Sequence, residues 1–262
     1  LAGIANPATG WGIVDETFAS MAALDKLGGE IWFRLGDKDL ATHLQRTTLL
    51  QQGKSLSEVT TLLCAAFGLS TRIIPMSNDN VATRVHTDEG VLAFQDYFVR
   101  RRAEPAVSRL VYAGADTAKI AAGARNALSR DNLKAIVITP SNPYLSIDPI
   151  LAVKGIRAAL KETAAPIVAV SPIVGGRALK GPTAKIMNEL GLESSALAIA
   201  KHYHGIIDGL IIDPADSALA DDIEALGIKV CISNTVMTDM TSKKDLATAV
   251  IEFVASFANE AA

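Results

Sequence analysis

Short β-branched runs that end in small polar and turn residues recur along the second half of the chain. Residues 135–138 run into 139–143, and residues 166–170 run into 171–176, each followed by a helical pattern. A parallel sheet presents a binding edge in this way, so a ligand is expected across the two loops. Further elements predicted after residue 133 are a helix starting near Thr183, strands at Gly209–Ile212 and Lys229–Ile232, and a helix over 243–257.

The first half of the chain is mainly helical in pattern. Helices are predicted over residues 16–27, 40–52 and 56–67, the third with Ser55 and Glu58 as a capping box. A strand is predicted over residues 72–76. The only antiparallel pairing predicted is a hairpin of residues 83–87 and 90–95, where polar and apolar residues alternate.

These elements indicate an α/β fold with a doubly wound, mostly parallel, Rossmann-like sheet. The chain has 262 residues, of which 49% are hydrophobic and 20% charged, and can bury a large α/β core. We expect a single domain over residues 1–262, with a helical and hairpin insertion over residues 28–100.

Charge and cysteine content narrow the function classes. A net charge of −3 gives no electrostatic footprint for nucleic acid, and the arginines at 100–102 are typical of a solvated face. No apolar run is long enough to suggest a membrane span. Cys64 and Cys231 lie in apolar contexts without a CxxC motif, which predicts reduced core residues in a cytoplasmic protein.

Common catalytic and nucleotide motifs are missing. The sequence has no G-x-G-x-x-G, G-x-S-x-G or H-E-x-x-H. Residues 175–181 read Gly-Gly-Arg-Ala-Leu-Lys-Gly, which places the lysine before the closing glycine and fails the Walker A order. These absences disfavour P-loop kinases, the commonest serine hydrolases and zinc proteases.

The two loops still offer candidate ligand groups. Gly175 and Gly176, with Arg177 and Lys180 before a helix, suit a phosphate or diphosphate, or else form a glycine turn with solvent-facing charges. In the other loop, Ser141 and Asn142 lie between Pro140 and Pro143. They either hydrogen-bond a base, ribose or phosphate, or form an ordinary turn.

A second group of candidates lies near residue 40. Asp37 and Asp39 flank the start of a helix, and Asp39 and His43 share one helical face. The carboxylates either cap the helix, hold a divalent metal or orient a nucleophile. Arg34 lies among apolar residues and either snorkels or meets an anionic ligand. His202 and His204 are interpreted as structural or rim residues.

Several strings together resemble the 2-phospholactate transferase family of coenzyme F420 biosynthesis, which includes phosphoenolpyruvate transferases. The Leu-Gly-Asp-x-Asp-x-Ala-Thr-His string at 35–43, Ser-Asn-Pro at 141–143, Ser-Ile-Asp-Pro at 146–149 and Ser-Pro-Ile-Val-Gly-Gly at 171–176 occur in that family's order. The resemblance covers essentially the whole chain.

The resemblance implies a reaction. Family members transfer a phospholactyl-type group from a guanosine diphosphate-linked donor to the ribityl hydroxyl of 7,8-didemethyl-8-hydroxy-5-deazariboflavin, releasing GMP with Mg2+. It implies that Arg34 and its neighbour His43 contact the deazaflavin, and that Asp37 and Asp39 orient the acceptor hydroxyl or a magnesium-bound water. The loops with Ser141, Asn142, Pro143, Ser171, Gly175 and Gly176 are then expected to hold the guanosine diphosphate portion.

The resemblance also carries two expectations about the whole protein. Family members begin with a strand and a glycine-rich loop, and the first residues of this sequence match the family pattern just after those elements. The chain alone is therefore expected to be inactive or severely impaired, with metal ligands that its sequence does not identify. A homodimer is expected, since such enzymes often assemble that way.

Two other functional hypotheses place the protein in a different functional class. A related family of similar fold consists of non-catalytic, nucleotide-sugar-binding regulators, but the segment from Arg34 to His43 favours the enzyme. A nicotinamide oxidoreductase is disfavoured by the missing dinucleotide fingerprint.

Overall fold

The computed structural model describes the backbone of residues 1–260 and the side chains of residues 1–258. Its centre is a four-stranded parallel sheet with the strand order β4 (Ile136–Ile138), β5 (Ile167–Val170), β8 (Gly209–Ile212) and β9 (Lys229–Ile232). Every residue of β5 and β8 is buried, as expected for inner strands covered on both faces. All four strands were predicted from the sequence, which confirms the α/β fold class.

The remaining elements connect and cover this sheet. They are α1 (Ala19–Lys26), α2 (Asp37–Gln51), α3 (Leu56–Ala66), β1 (Ala82–Thr87), β2 (Gly90–Ala93), β3 (Val107–Ala113), α4 (Ala122–Leu128), α5 (Asp148–Leu151), α6 (Ile156–Glu162), β6 (Ile173–Val174), β7 (Arg177–Ala178), α7 (Thr183–Glu189), α8 (Ala196–Tyr203), α9 (Ala220–Glu224) and α10 (Met240–Glu260), with π-helical turns at Asp96–Arg100 and Pro143–Ile147 and a 3₁₀ turn at Pro214–Leu219. No helix within residues 1–260 has both the length and the apolar character needed to cross a membrane.

Successive strand residues face opposite sides, so each inner strand contributes to two cores. Ala169 and Leu210 belong to the larger core, which also contains buried residues of α6, α7 and α8. Val170 and Ile211 lie on the other side, against Leu246 of α10. The sheet is therefore covered by helices on both faces.

A glycine lets α10 approach the sheet closely. A Cβ atom built at Gly209 would lie 2.7 Å from the Phe253 ring and 3.0 Å from the Phe257 ring. Any larger residue would have to displace these rings, which contact each other edge to face at a centroid distance of 5.2 Å.

The predicted hairpin is present and is part of a larger antiparallel sheet. Strands β1 and β2 pair with Thr87 opposite Gly90, and β3 pairs with the other side of β1. The expectation that antiparallel pairing is confined to the hairpin is wrong, because β3 joins this sheet and β6 pairs with β7. The helix starts at Ser55 and near Thr183 are confirmed, the first with both halves of its capping box.

The strand predicted over residues 72–76 is not present. Its backbone makes no ladder within the described chain, and the nearest pairing is an isolated bridge between Ser77 and Ile120. Ile73 is 47% exposed. The β-branched residues favour an extended chain, but a strand also needs a hydrogen-bonded neighbour, and Pro75 has no N–H to donate.

Candidate functional site

The candidate site lies at the carboxyl edge of the parallel sheet. There the loops after β4, β5, β8 and β9 lead away from neighbouring strands. Two of these loops, over residues 139–143 and 171–176, carry predicted ligand groups. The other two begin with Asp213 and Ser233, whose roles the sequence analysis did not consider. Such an edge is the usual ligand position in open parallel sheets.

The loop after β5 contains a tight hairpin. Gly175 and Gly176 form its two-residue turn between β6 and β7, with φ angles of +55° and +76°. A side chain at either position would strain the turn, because both torsions lie in the left-handed region. Both glycines are exposed, as are the cations Arg177 and Lys180. The turn therefore presents backbone and positive charge together.

Two predicted groups of this loop already have protein partners. The Ser171 hydroxyl donates to the Ile173 carbonyl at 2.9 Å, and the side chain of Ser171 is buried. The Gly175 N–H donates to the carboxylate of Asp216, at 3.0 Å from Oδ2. The Gly175 N–H, part of the turn predicted to bind a phosphate, is thus already hydrogen-bonded to Asp216, whose carboxylate is buried.

A second buried carboxylate joins the loops after β8 and β9. Asp213 Oδ2 accepts the N–H and the hydroxyl of Thr235, at 3.1 and 3.3 Å, and Asp213 Oδ1 accepts the Ala215 N–H at 3.1 Å. Asp213 and Thr235 are both buried. Asp213 directly follows a predicted strand and Thr235 lies three residues after the end of the next, so polar residues just beyond both strands were the sequence signal that could have indicated this pair.

The loop after β4 is fixed by Asn142. Its Oδ1 accepts the N–H groups of Tyr144 and Leu145, both at 3.0 Å, which caps the π-helical turn that begins at Pro143. Asn142 Nδ2 is buried and has no hydrogen-bond partner in the described structure. Ser141 donates its N–H to the Thr139 carbonyl at 2.6 Å. The asparagine thus fixes the loop, and its Nδ2 is left buried without a protein partner in the described structure.

Of the two predicted carboxylates, Asp37 acts as a helix cap, whereas the Asp39 carboxylate caps no helix in the described structure. Asp37 accepts the Ala19 and Ser20 N–H groups, each at 3.0 Å, and the Thr17 hydroxyl, at the start of α1. These donors, the Thr17 hydroxyl first, lower the pKa of Asp37 to about 2. Glu16 caps α2 in the same way: its Oε1 accepts the backbone N–H groups of Lys38 and Asp39, at 2.6 and 3.1 Å.

Arg34 and His43 lie on the surface of this same segment. The Arg34 guanidinium carbon is 4.3 Å from the centroid of the Phe18 ring, a cation–π contact. Nδ1 of His43 is 2.6 Å from Nη2 of Arg46. Both Arg34 and His43 are exposed.

The predicted site residues therefore form two groups. Ser141 to Pro143 and Ser171 to Gly176 share the carboxyl edge of the sheet, whereas Arg34 to His43 lie on and before α2. No hydrogen bond, ion pair or ring contact between described side chains joins the two groups.

The described residues do not by themselves form a magnesium site. Among the described side chains of residues 1–258, no group of at least three His, Cys, Asp or Glu is placed to hold a metal ion. Both oxygens of Asp37 are already bound to donors of α1 and Thr17. Cys64 and Cys231 are free thiols, and burial raises the pKa of Cys231.

The fold and its loops define a class of protein, an α/β protein with candidate ligand groups at the edge of a parallel sheet. A solved structure confirms the α/β fold. A crystal structure of a UPF0052-family protein from Bacillus halodurans has a TM-score of 0.51 and 17% identity, over 78% of this chain and 69% of that one. At this identity the likeness shows the fold alone.

Sequence comparison gives the family. Residues 12–253 match the family model described as 2-phospho-L-lactate transferase CofD. The chain is 40% identical over 258 residues to a phosphoenolpyruvate transferase of Streptomyces griseus, covering 96% of this chain and 80% of the relative. It is 36% identical to a 2-phospho-L-lactate transferase of Methanosarcina mazei, over 92% of this chain and 78% of the relative. The chain belongs to the 2-phospho-L-lactate transferase CofD family, a transferase family of coenzyme F420 biosynthesis.

Proposed function

We propose that the protein transfers a 2-phospholactyl or phosphoenolpyruvyl group from a guanosine diphosphate-linked donor to the ribityl hydroxyl of the deazaflavin, releasing GMP. The observation that carries this proposal is the 40% identity, over 96% of the chain, to a phosphoenolpyruvate transferase. The relative of Methanosarcina mazei, named for 2-phospho-L-lactate, supports the same reaction with a different transferred group.

The reaction is a displacement at phosphorus. The ribityl oxygen forms a bond to the outer phosphorus of the donor as the bond from that phosphorus to the bridging oxygen breaks. The electron pair leaves with GMP, and the hydroxyl proton goes to a base or to solvent. Catalysis of this kind depends mainly on positioning the reactants and neutralising their charge.

The carboxyl edge of the sheet is the proposed donor site. We assign the loop with Ser141, Asn142 and Pro143 to one side of it and the loop with Ser171, Gly175 and Gly176 to the other, with Ser171 shaping its loop from a buried position. Exposed Arg177 and Lys180 supply positive charge for a diphosphate. Because Asp216 holds the Gly175 N–H, we assign the phosphate contact to the cations and to the rest of the turn.

The segment on and before α2 is the proposed acceptor site. An arginine can stack on an aromatic face, and Arg34 already does so with Phe18, so its guanidinium suits the flat deazaflavin ring. His43 lies one helical turn beyond Asp39 on the same helix. Asp39 is the better candidate for orienting the acceptor hydroxyl, since the oxygens of Asp37 are engaged in capping.

Mg2+ is the proposed cofactor, and no step is assigned to it. Mg2+ is commonly held by one or two carboxylates together with substrate phosphates, so the donor itself would supply much of its coordination. Where turnover is measured, chelation with EDTA is expected to abolish it, with activity restored by added Mg2+. Full activity in excess EDTA would contradict the requirement.

Fluorescence titration with the deazaflavin, with and without Mg2+ and GDP, tests the proposal directly. Saturable binding that weakens at least about tenfold in Arg34→Ala, about 1.4 kcal/mol, would support the acceptor site. Arg130→Ala is the control, because Arg130 is also exposed but lies on the loop before β4. Saturable binding that is equal in all three proteins would overturn the assignment of Arg34.

A turnover assay on the same protein separates the enzyme from the regulator. GMP release that depends on both donor and deazaflavin identifies the transferase. It also tests the expectation that these 262 residues alone are inactive or impaired. Binding of a nucleotide without deazaflavin binding or GMP release would favour the regulator. Sedimentation of the purified protein tests the proposed homodimer.

A further inference from the structure

We propose that Tyr112, Asp148 and His202 are positioning residues that hold the Ser141–Pro143 loop in its ligand-binding shape. We call these three side chains the loop anchor. The claim that the loop binds the donor rests on the proposed function, whereas the claim that the anchor holds the loop does not.

Tyr112 makes the first contact of the anchor. Its hydroxyl donates to the Tyr144 carbonyl at 2.6 Å and lies 3.5 Å from Asp148 Oδ2. Tyr112 belongs to β3, so the antiparallel sheet supports a loop of the parallel sheet. Burial, with the charge of Asp148 as a smaller cause, raises the pKa of Tyr112, which keeps its hydroxyl a donor.

Asp148 and His202 make the second contact. His202 Nε2 is 2.9 Å from Asp148 Oδ1, and the imidazole also meets the Tyr144 ring edge to face at a centroid distance of 5.0 Å. Asp148 begins α5 and His202 lies in the last turn of α8. Tyr144, two residues after Asn142, is therefore held through its carbonyl by β3 and through its ring by α8.

The loop transmits this restraint to Asn142. Asn142 Oδ1 accepts the Tyr144 and Leu145 N–H groups, and the Asn142 carbonyl accepts the Ser146 N–H at 2.9 Å. These bonds fix which amide atom is the acceptor and orient Nδ2, the donor without a partner in the described structure. The restraint therefore reaches the side chain of Asn142 as well as its backbone.

A stabilising role alone does not explain the anchor. The side chains of His202 and Asp148 are only 23% and 15% exposed, and apolar residues of similar volume often stabilise such a place at least as well as a pair of polar side chains does. The anchor instead connects β3, the start of α5 and the last turn of α8 to this loop, so we infer that it sets the position of Asn142.

Three substitutions and a control test the proposal. Tyr112→Phe removes one hydroxyl, His202→Ala removes the partner of Asp148, and His202→Gln restores a donor to it. Tyr203→Phe is the matched control, because the Tyr203 hydroxyl is buried next to His202 and has no partner in the described structure. All four variants are made in the full chain and compared with wild type.

Amide hydrogen exchange at residues 144–146 is the readout that needs no ligand. Tyr112→Phe and His202→Ala are expected to raise these exchange rates about tenfold, as expected for the loss of one net hydrogen bond. His202→Gln is expected to recover most of the protection, and Tyr203→Phe to match wild type. Unchanged exchange in Tyr112→Phe and His202→Ala would overturn the proposal.

GDP binding and transferase kinetics are the second readout. The same two variants are expected to weaken GDP binding about tenfold and, if wild type turns over, to raise the donor KM by a similar factor with kcat little changed. Faster exchange with unchanged GDP affinity and KM would overturn the positioning role. If wild type binds no GDP, the proposed function fails, and hydrogen exchange alone decides whether the anchor holds the loop.

Discussion

The carboxylate of Asp216 holds the backbone N–H of Gly175, with Oδ2 3.0 Å and Oδ1 3.2 Å from the nitrogen. Asp216 lies in the 3₁₀ turn after β8 and is buried, whereas Gly175 is exposed at the tip of the β6–β7 hairpin. One side chain therefore links two adjacent loops of the candidate donor site.

Removing this link is expected to destabilise the protein. Asp216→Ala should lower the free energy of unfolding by about 1–2 kcal/mol, because a charged acceptor is lost from a hydrogen bond. Asp216→Asn should lose less, since its amide oxygen can still accept. Urea denaturation measures both, with exposed Asp222 of α9 replaced by Ala as the control. An equal loss in Asp222→Ala would contradict the role of Asp216.

Gly36 is predicted to be necessary for the Glu16 cap of α2. A Cβ atom at position 36 would lie 1.9 Å from Glu16 Cγ, so Gly36→Ala must push the carboxylate away from the Lys38 and Asp39 N–H groups. We expect a loss of about 1 kcal/mol, typical of a helix cap.

A double-mutant cycle tests the pairing of Gly36 with Glu16. If Gly36→Ala acts by displacing Glu16, it should cost little more in a protein that already carries Glu16→Ala. Thermal unfolding of the four proteins measures this. Fully additive losses would show that Gly36 matters for another reason.

The pKa of Asp37 predicts how acid affects stability. It is lowered from 3.8 to about 2 in the folded protein, so folding favours the carboxylate. The resulting stabilisation is complete above about pH 4 and is lost as the pH falls through about 2. Urea midpoints measured across this range should fall more steeply in wild type than in Asp37→Asn. Equal slopes would contradict the prediction, and Asp25→Asn, an exposed position of α1, serves as the control.

Gly209→Ala is expected to disturb the packing of α10. The added methyl group would lie 2.7 Å from the Phe253 ring, and overpacking of this kind costs about 1–3 kcal/mol. Replacing Phe253 by Leu in the same protein should recover part of the loss. An unchanged free energy of unfolding in Gly209→Ala would show that α10 moves to accept the methyl group without destabilising the protein.

The parallel sheet could be predicted because each strand carries its own signal. Residues 167–170 and 209–212 are continuous β-branched or apolar runs that end at a polar residue, which is the local pattern of a buried parallel strand. The strand predicted over 72–76 has a similar composition but no neighbour to pair with. Composition therefore predicted the extended backbone there, whereas pairing depended on residues far along the chain.

The candidate site was predicted less completely, because many of its contacts join residues that are far apart in the sequence. Two consecutive glycines, Gly175 and Gly176, predict a turn from the local sequence alone, and the structure confirms that turn. The partners that fix the loops are distant in sequence: Asp216 is 41 residues from Gly175, and His202 is 54 residues from Asp148. No local pattern could have paired them without the topology of the sheet.

The two buried carboxylates Asp213 and Asp216 have a consequence for how a ligand would bind. They tie the loops after β5, β8 and β9 to one another through backbone N–H groups of Gly175 and Thr235. A site held in this way is preorganised, so little conformational entropy remains to be lost when a ligand arrives. Discrimination between similar donors would then depend on shape and charge fixed during folding, with little adjustment of the loops after the encounter.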